Sequence, residues 1–230
     1  MQIEILEFVE GAKKARGLAV IIDVFRAFSV ACYIIDGGAA RLIVTGTPEQ
    51  AFKIKGKYRN SILAGERNEK KIEGFDLGNS PTEIIKTPLE GKTVILTTTA
   101  GTQGLINAVN ADSIITGSLV NATAVAQFIK HLNPAHLSLV AMGYRAEISA
   151  EEDLICARFI ADRLRGKNTS FDEQISDLRK GSGKRFFLKE NIDFSPPTDF
   201  FLCTMADRFD FVLQAEKMSE GIYCLSKKEI

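Results

Sequence analysis

Short apolar runs bounded by turn-forming or polar residues recur along the chain at 18–22, 41–44, 61–64, 93–97, 113–116 and 137–142. Runs of this length that are apolar throughout suit strands buried on both faces, as in a parallel sheet. The gaps between them hold helical patterns at 27–36, 47–57, 104–108, 122–132 and 151–165, opening near Ser, Thr, Asn or Pro as helix starts prefer. Strands alternating with helices predict an α/β fold, a three-layer α/β/α arrangement around a mainly parallel sheet that an antiparallel strand would make mixed.

After residue 165 the texture changes. Gly166-Lys167-Asn168, the stretch Lys180-Gly181-Ser182-Gly183-Lys184-Arg185 and Pro196-Pro197 interrupt the pattern. Apolar clusters at 186–188, 200–205 and 209–213 predict short elements that pack back on the main body. Residues 1–230 therefore read as one domain, with 166–230 its more irregular C-terminal part, too short for a core of its own.

Composition narrows the partners. With 45% hydrophobic and 25% charged residues in 230, the chain can bury one sizeable core. Lys plus Arg and Asp plus Glu both number 29, so no basic excess points to nucleic acid or an anionic membrane. A charged partner must then be small and held by local arrangement. Met1-Gln2-Ile3-Glu4 lacks the basic start of a secretory signal, and residues 18–22 are too few to span a bilayer, so a cytoplasmic location is expected. Cys32, Cys156, Cys203 and Cys224 show no close metal-ligand pairing and read as reduced structural thiols. A homodimer is the expected assembly, since symmetric dimers are the commonest soluble oligomers.

Candidate chemistry gathers where strands end and helices begin. Asp23 follows the run 18–22, at the carboxyl end where open α/β sheets bind ligands, and its carboxylate suits a hard cation such as Mg²⁺. Arg26 could offer a fork to a carboxylate, sulfonate or phosphate; the alternative is a capping Asp23 and a surface Arg26. Glu66, after Gly65, is placed for metal binding or acid–base work, with Arg67 beside it, although Asn68-Glu69-Lys70-Lys71 also reads as a solvated charge run. In Gly74-Phe75-Asp76-Leu77-Gly78-Asn79-Ser80-Pro81, Pro81 suits a first helical position and Ser80 its cap, leaving Asp76 and Asn79 to project from the turn. Thr97-Thr98-Thr99-Ala100-Gly101-Thr102 offers hydroxyls and amides at a helix start, which can hold phosphate oxygens. Ser118 and Asn121 repeat that logic as donors or, more simply, as caps. The acids Glu151-Glu152-Asp153 are accounted for by the helix dipole and a capping box, and His131 and His136 by loop exposure.

Six ordered motifs resemble the 2-phosphosulfolactate phosphatase (ComB-like) family over roughly residues 18–164: Asp23-Val24-Phe25-Arg26-Ala27; Gly65-Glu66-Arg67; the 74–81 segment; Thr97-Thr98-Thr99 with Gly101-Thr102; Gly117-Ser118 with Asn121-Ala122; and Glu152-Asp153 with Cys156-Ala157. The resemblance implies an α/β/α fold and a Mg²⁺-dependent hydrolysis of 2-phospho-3-sulfolactate to 3-sulfolactate and phosphate, a step of coenzyme M synthesis. The resulting mechanistic expectation draws metal-holding and catalytic carboxylates from Asp23, Glu66 and Asp76. Substrate contacts are expected from Arg26, Arg67, Asn79, Ser80, Thr97, Thr98, Thr99, Gly101, Thr102, Ser118 and Asn121. The chain departs from the family pattern at Asn68-Glu69, where a glycine pair is usual, at Ala100, where Asn is usual, and in the 143–147 and 181–185 segments. A non-catalytic binder of small anionic acids is the competing class, since binding needs the cationic and hydroxyl lining without a metal shell.

Overall fold

The computed structural model describes every residue except Asn168 and Phe171, so the Asn168 part of the expected break lies outside the described residues. In chain order the strands are β1 (Gln2–Glu7), β2 (Leu18–Ile22), β3 (Arg41–Thr45), β4 (Ser61–Arg67), β5 (Lys70–Lys71), β6 (Thr93–Thr97), β7 (Ser113–Gly117), β8 (His136–Ala141), β9 (Val212–Ser219) and β10 (Ile222–Lys228). The helices are α1 (Phe8–Lys14), α2 (Ala27–Asp36), α3 (Pro48–Lys55), α4 (Pro81–Ile84), α5 (Gly101–Asn107), α6 (Ala122–Leu132), α7 (Glu151–Leu164), α8 (Asp172–Leu178) and α9 (Pro197–Cys203). The expected α/β architecture is present, a mixed and largely parallel sheet with helices on both faces.

Strand order is β1-β8-β2-β7-β9-β10-β3-β6-β4-β5. β1, β8, β2 and β7 form one parallel block, and β3, β6 and β4 form another. Between them the C-terminal hairpin pairs antiparallel with β7 through β9 and with β3 through β10. Three successive antiparallel pairings invert the direction, so the two blocks run opposite ways. This corrects the expectation for residues 166–230: beyond short elements that pack on the body, the segment supplies two central strands. The hairpin escaped sequence reading because its outer half is polar, Glu216-Lys217-Met218-Ser219 being exposed. β1 was also missed; its mixed polar and apolar residues fit an edge strand with only β8 beside it.

Strand periodicity sorts the core. Ala19 and Ile21 of β2 face one side with Leu42 and Val44 of β3 and Val94 and Leu96 of β6, covered by Phe28, Ala31 and Ile34 of α2 and Leu105 of α5. On the opposite side Val20 and Ile22 meet Val125 and Ile129 of α6 and Ala157 and Ile160 of α7. Ile43, Leu63 and Ile95 form a separate patch under Ala51 and Ile54 of α3. The first cluster runs beneath both blocks and the hairpin, through Leu213 and Leu225, and gives the sheet one continuous face. Among the described residues no helix is long and apolar enough to cross a membrane.

Leu213 tests the hairpin, because it is fully buried beside Thr116 of β7. Leu213→Ala should lower the unfolding free energy by about 3 kcal/mol, the usual result of a cavity in a packed core. Met218→Ala, on the exposed half of the same strand, should stay within about 0.5 kcal/mol of wild type. Urea denaturation of both variants measures the contrast.

Candidate active site

β2 is buried along its whole length and ends at Ile22, so Asp23 enters the interior as the chain turns toward α2. The Ala27 N–H donates to Asp23 Oδ1 at 3.1 Å, a capping contact, while Oδ2 sits over Gly101, where an added Cβ would come within 2.7 Å. The next amide, Val24 N–H, donates to Asp153 Oδ1, and Gly143 N–H donates to Asp153 Oδ2, both at 2.8 Å. Asp153 at the start of α7 thus ties the loop after β2 to the loop after β8. The Phe25–Arg26 peptide bond is cis. Arg26 is buried and donates through Nη1 to Asp199 Oδ2 at 2.6 Å and to Phe194 O at 2.7 Å.

Glu66 arrives from the end of β4. At Gly65 the backbone has φ +150°, and a Cβ would stand 2.0 Å from Thr97 O, so only glycine permits this approach of β4 to β6. Glu66 accepts from Thr99 N–H at 2.6 Å, Thr99 Oγ1–H at 3.0 Å and Glu69 N–H at 2.8 Å. Asn68 and Glu69, at φ +52° and +69°, make the tight turn into β5, the conformation that favours a glycine pair.

The threonine loop is largely self-satisfied. Thr102 Oγ1 receives Thr98 N–H and donates to Thr98 O, while Thr98 Oγ1 receives Thr102 N–H. Its hydroxyls order the loop and, through Thr99, hold Glu66. Arg67 is likewise committed, to Glu66 O, Gly46 O and Thr97 Oγ1.

Asp23, Phe25, Arg26, Glu66, Glu69, Asn79, Thr99, Ala100, Gly143, Tyr144, Arg145 and Arg185 enclose one cavity. The structure therefore brings together Asp23, Arg26, Glu66, Asn79 and Thr99 of the expected set, with Gly101 directly beneath Asp23. It does not bring Asp76 there. That carboxylate accepts from Lys55 Nζ and Leu63 N–H, both at 2.8 Å, and is partly exposed. Ser80 caps α4 and donates to Asp199 Oδ1, so it supports Arg26 from behind. Ser118 and Asn121 are buried caps, Asn121 Oδ1 receiving Ser118 N–H and Nδ2 reaching Phe211 O, which is the capping alternative. Thr97, Thr98 and Thr102 are buried beside the cavity and outside its lining.

Sequence reading missed Glu152, Asp153, Asp199 and Arg185. The acids opening α7 read as a dipole and capping pattern, yet α7 has no side-chain cap, and Glu152 and Asp153 are buried. Their place immediately before the apolar Leu154-Ile155-Cys156-Ala157 was the available signal. Burial drives the carboxyls up: Asp23 is pushed to about 7, chiefly by desolvation and further by Glu66 and Glu152, against the Ala27 hydrogen bond and Arg185. Glu152 and Asp153 are raised by the same cause.

The donor set fits a hard cation in part. Asp23, Glu66 and Asn79 line the cavity and bring two carboxylates and an amide oxygen, and Asn79 Oδ1 is buried without a partner. Mg²⁺ commonly uses one or two carboxylates together with substrate phosphate and waters, which these residues match. Among the described residues no three His, Cys, Asp or Glu side chains converge on an ion, so Asp76 is not a third carboxylate here.

Comparison with known proteins agrees with the family resemblance. The family model for 2-phosphosulpholactate phosphatase matches residues 4–192. A Clostridium beijerinckii protein named probable 2-phosphosulfolactate phosphatase is 35% identical over 198 residues, covering 84% of this chain and 81% of its own. Proteins of the same name from Thermotoga petrophila and Bacillus subtilis are 34% identical over 218 residues and 32% identical over 205, covering 91% and 87% of this chain and 92% and 88% of theirs. With a match of that extent, the chain belongs to the 2-phosphosulpholactate phosphatase family, a family of phosphoric monoester hydrolases.

Proposed function

We propose that the chain is a Mg²⁺-dependent phosphatase hydrolysing 2-phospho-3-sulfolactate, or a closely related small phosphorylated hydroxy acid, to the hydroxy acid and phosphate. The observation that carries the reading is the meeting, in the lining of one cavity, of Asp23, Glu66, Arg26 and Asn79, whose Oδ1 is buried without a partner. Relatives bearing the phosphatase name over most of their length support it.

Asp23, Glu66 and Asn79 would hold the cation. When bound, Mg²⁺ supplies charge against the phosphoryl oxygens and lowers the pKa of a nearby water. Glu66, fixed by three donors, keeps its carboxylate in one orientation. Asp23, anchored through Oδ1, lines the cavity and would orient the attacking water. Arg26 keeps positive charge on the wall; its ion pair with Asp199 prevents it from folding onto Asp23 or Glu66. Water adds to phosphorus as the ester P–O bond breaks, and the departing alkoxide takes up the water's proton. Tyr144 and Arg145 line the outer side of this small cavity.

Asp23→Asn should abolish metal-dependent phosphate release, a loss of at least about 100-fold, while circular dichroism shows that the fold is retained. Chelation of wild type should produce the same loss and added Mg²⁺ restore it. Saturable binding of the phosphorylated acid with no release under either condition would favour the binder class.

The raised carboxyls predict a pH dependence of stability in chelated protein. Asp23, Glu152 and Asp153 have folded-state values above those of the unfolded chain, so they favour folding most when protonated in both states. Stability should fall as pH rises from about 4 through about 7, the span from the ordinary carboxyl range to the Asp23 value. Asp23→Asn should remove part of that slope, as read from urea midpoints across the range.

A further inference from the structure

The cavity around Asp23 measures about 40 Å³, and beyond Glu69, Tyr144 and Arg185 it adjoins a wider one of about 580 Å³. At about 10–15 Å³ for each water-sized group, the inner space accommodates only the reacting end of a small ester. Those three side chains line both spaces, so the part of an ester beyond its phosphoryl end lies within their reach.

Arg185 is held in place by aromatic rings. Its guanidinium lies 5.0 Å from the Tyr144 ring centre and 5.2 Å from that of Phe186, and Nη2 donates to Phe25 O at 3.0 Å. Its hydrogen bonding is nonetheless incomplete, since Nε–H is buried without an acceptor. Nη1 meets Glu69 Oε1 at 3.0 Å, yet Glu69 Oε1 completes no aligned hydrogen bond, so the pair is held by charge alone. Glu69 occupies the left-handed region at φ +69°, an unfavourable position for a residue with a Cβ. The neighbouring Arg26 differs, being closed off by Asp199 and Phe194 O. A planar cation with an unused donor, facing a poorly bonded carboxylate where two cavities share their lining, is suited to exchanging that carboxylate for another.

We infer that Arg185 is the specificity-determining residue that receives the second acid group of the substrate, a carboxylate or sulfonate carried beside the phosphate ester, and that Glu69 holds its place in the free protein. This rests on the phosphatase reading above. An entering acid completes the bonding of Arg185 and displaces Glu69 toward the wider cavity, which Glu69 also lines. Esters without an acid group leave the Glu69–Arg185 pair intact.

The test compares 2-phospholactate with isopropyl phosphate, which differ in the carboxylate, in the presence of Mg²⁺. Arg185→Ala should reduce the ratio of their kcat/KM values at least tenfold, and Arg185→Lys should recover part of it. Glu69→Gln should lower KM for 2-phospholactate severalfold and more than for isopropyl phosphate. Calorimetry with 3-sulfolactate and with inorganic phosphate reads the same site without turnover, and Arg185→Ala should weaken the first at least tenfold more than the second. Equal losses for both esters and both ligands would overturn the assignment and leave Arg185 as a prop for the Phe25 loop. Should wild type release phosphate neither from these esters nor from 2-phospho-3-sulfolactate, the phosphatase reading fails, and the calorimetric contrast alone decides for or against Arg185.

Discussion

Carboxylates withdrawn from water close to one another repel and lose hydration, and the architecture around this cavity follows from meeting that constraint. Asp153 is met by the amides of Val24 and Gly143. Glu66 is met by the Thr99 amide and hydroxyl and the Glu69 amide, and Glu152 by the Ser182 hydroxyl. The residues that supply these donors, Val24, Gly143, Thr99, Glu69 and Ser182, stand in different loops. Satisfying the acids therefore fixes the mutual position of the loops after β2, β4, β6 and β8, so the electrostatic requirement and the shaping of the cavity are one interaction.

The C-terminal third enters both the scaffold and the site. β9 and β10 join the two parallel blocks, α9 provides the Asp199 that holds Arg26, and the turn at Ser182–Phe187 provides Arg185 and the Ser182 hydroxyl. Asp199 also receives Ser80 Oγ–H and Thr82 N–H, so one buried carboxylate links α9, α4 and the start of α2. Removing it would leave Arg26 as an uncompensated buried cation, which costs more than the pair itself contributes.

The main body was legible because its strands are buried on both faces and therefore apolar throughout; β2, β6, α2 and α6 keep the boundaries read from sequence. The hairpin was not, because half of it faces solvent and its charged residues hide the alternation. Within the cavity, Asp23, Glu66 and Asn79 were legible from their positions after strand ends or in a dense turn. Asp76, Arg67, Thr98 and Thr102 came from the same motifs, yet each serves backbone groups or a surface ion pair. Sequence proximity to a strand end places a polar residue near the site without saying which way its side chain turns. The reverse error concerns Glu152, Asp153 and Arg185, whose surroundings of acids, Gly and Lys resemble a solvated helix start and a solvated turn. Only the tertiary fold shows that they are buried or half-buried.

The opposed directions of the two blocks also bear on how the molecule is made. Residues 212–228 follow in sequence everything that they join, so on a ribosome β7 and β3 emerge long before the strands that pair with them. Until then each block carries an unpaired apolar edge, Ile114-Ile115 on one side and Leu42-Ile43-Val44 on the other. Such edges are templates for pairing with other chains, and closing them requires contacts of high sequence separation, which form slowly. The hairpin is thus a late closing step, and the nascent chain depends on it to remove its own most aggregation-prone surfaces.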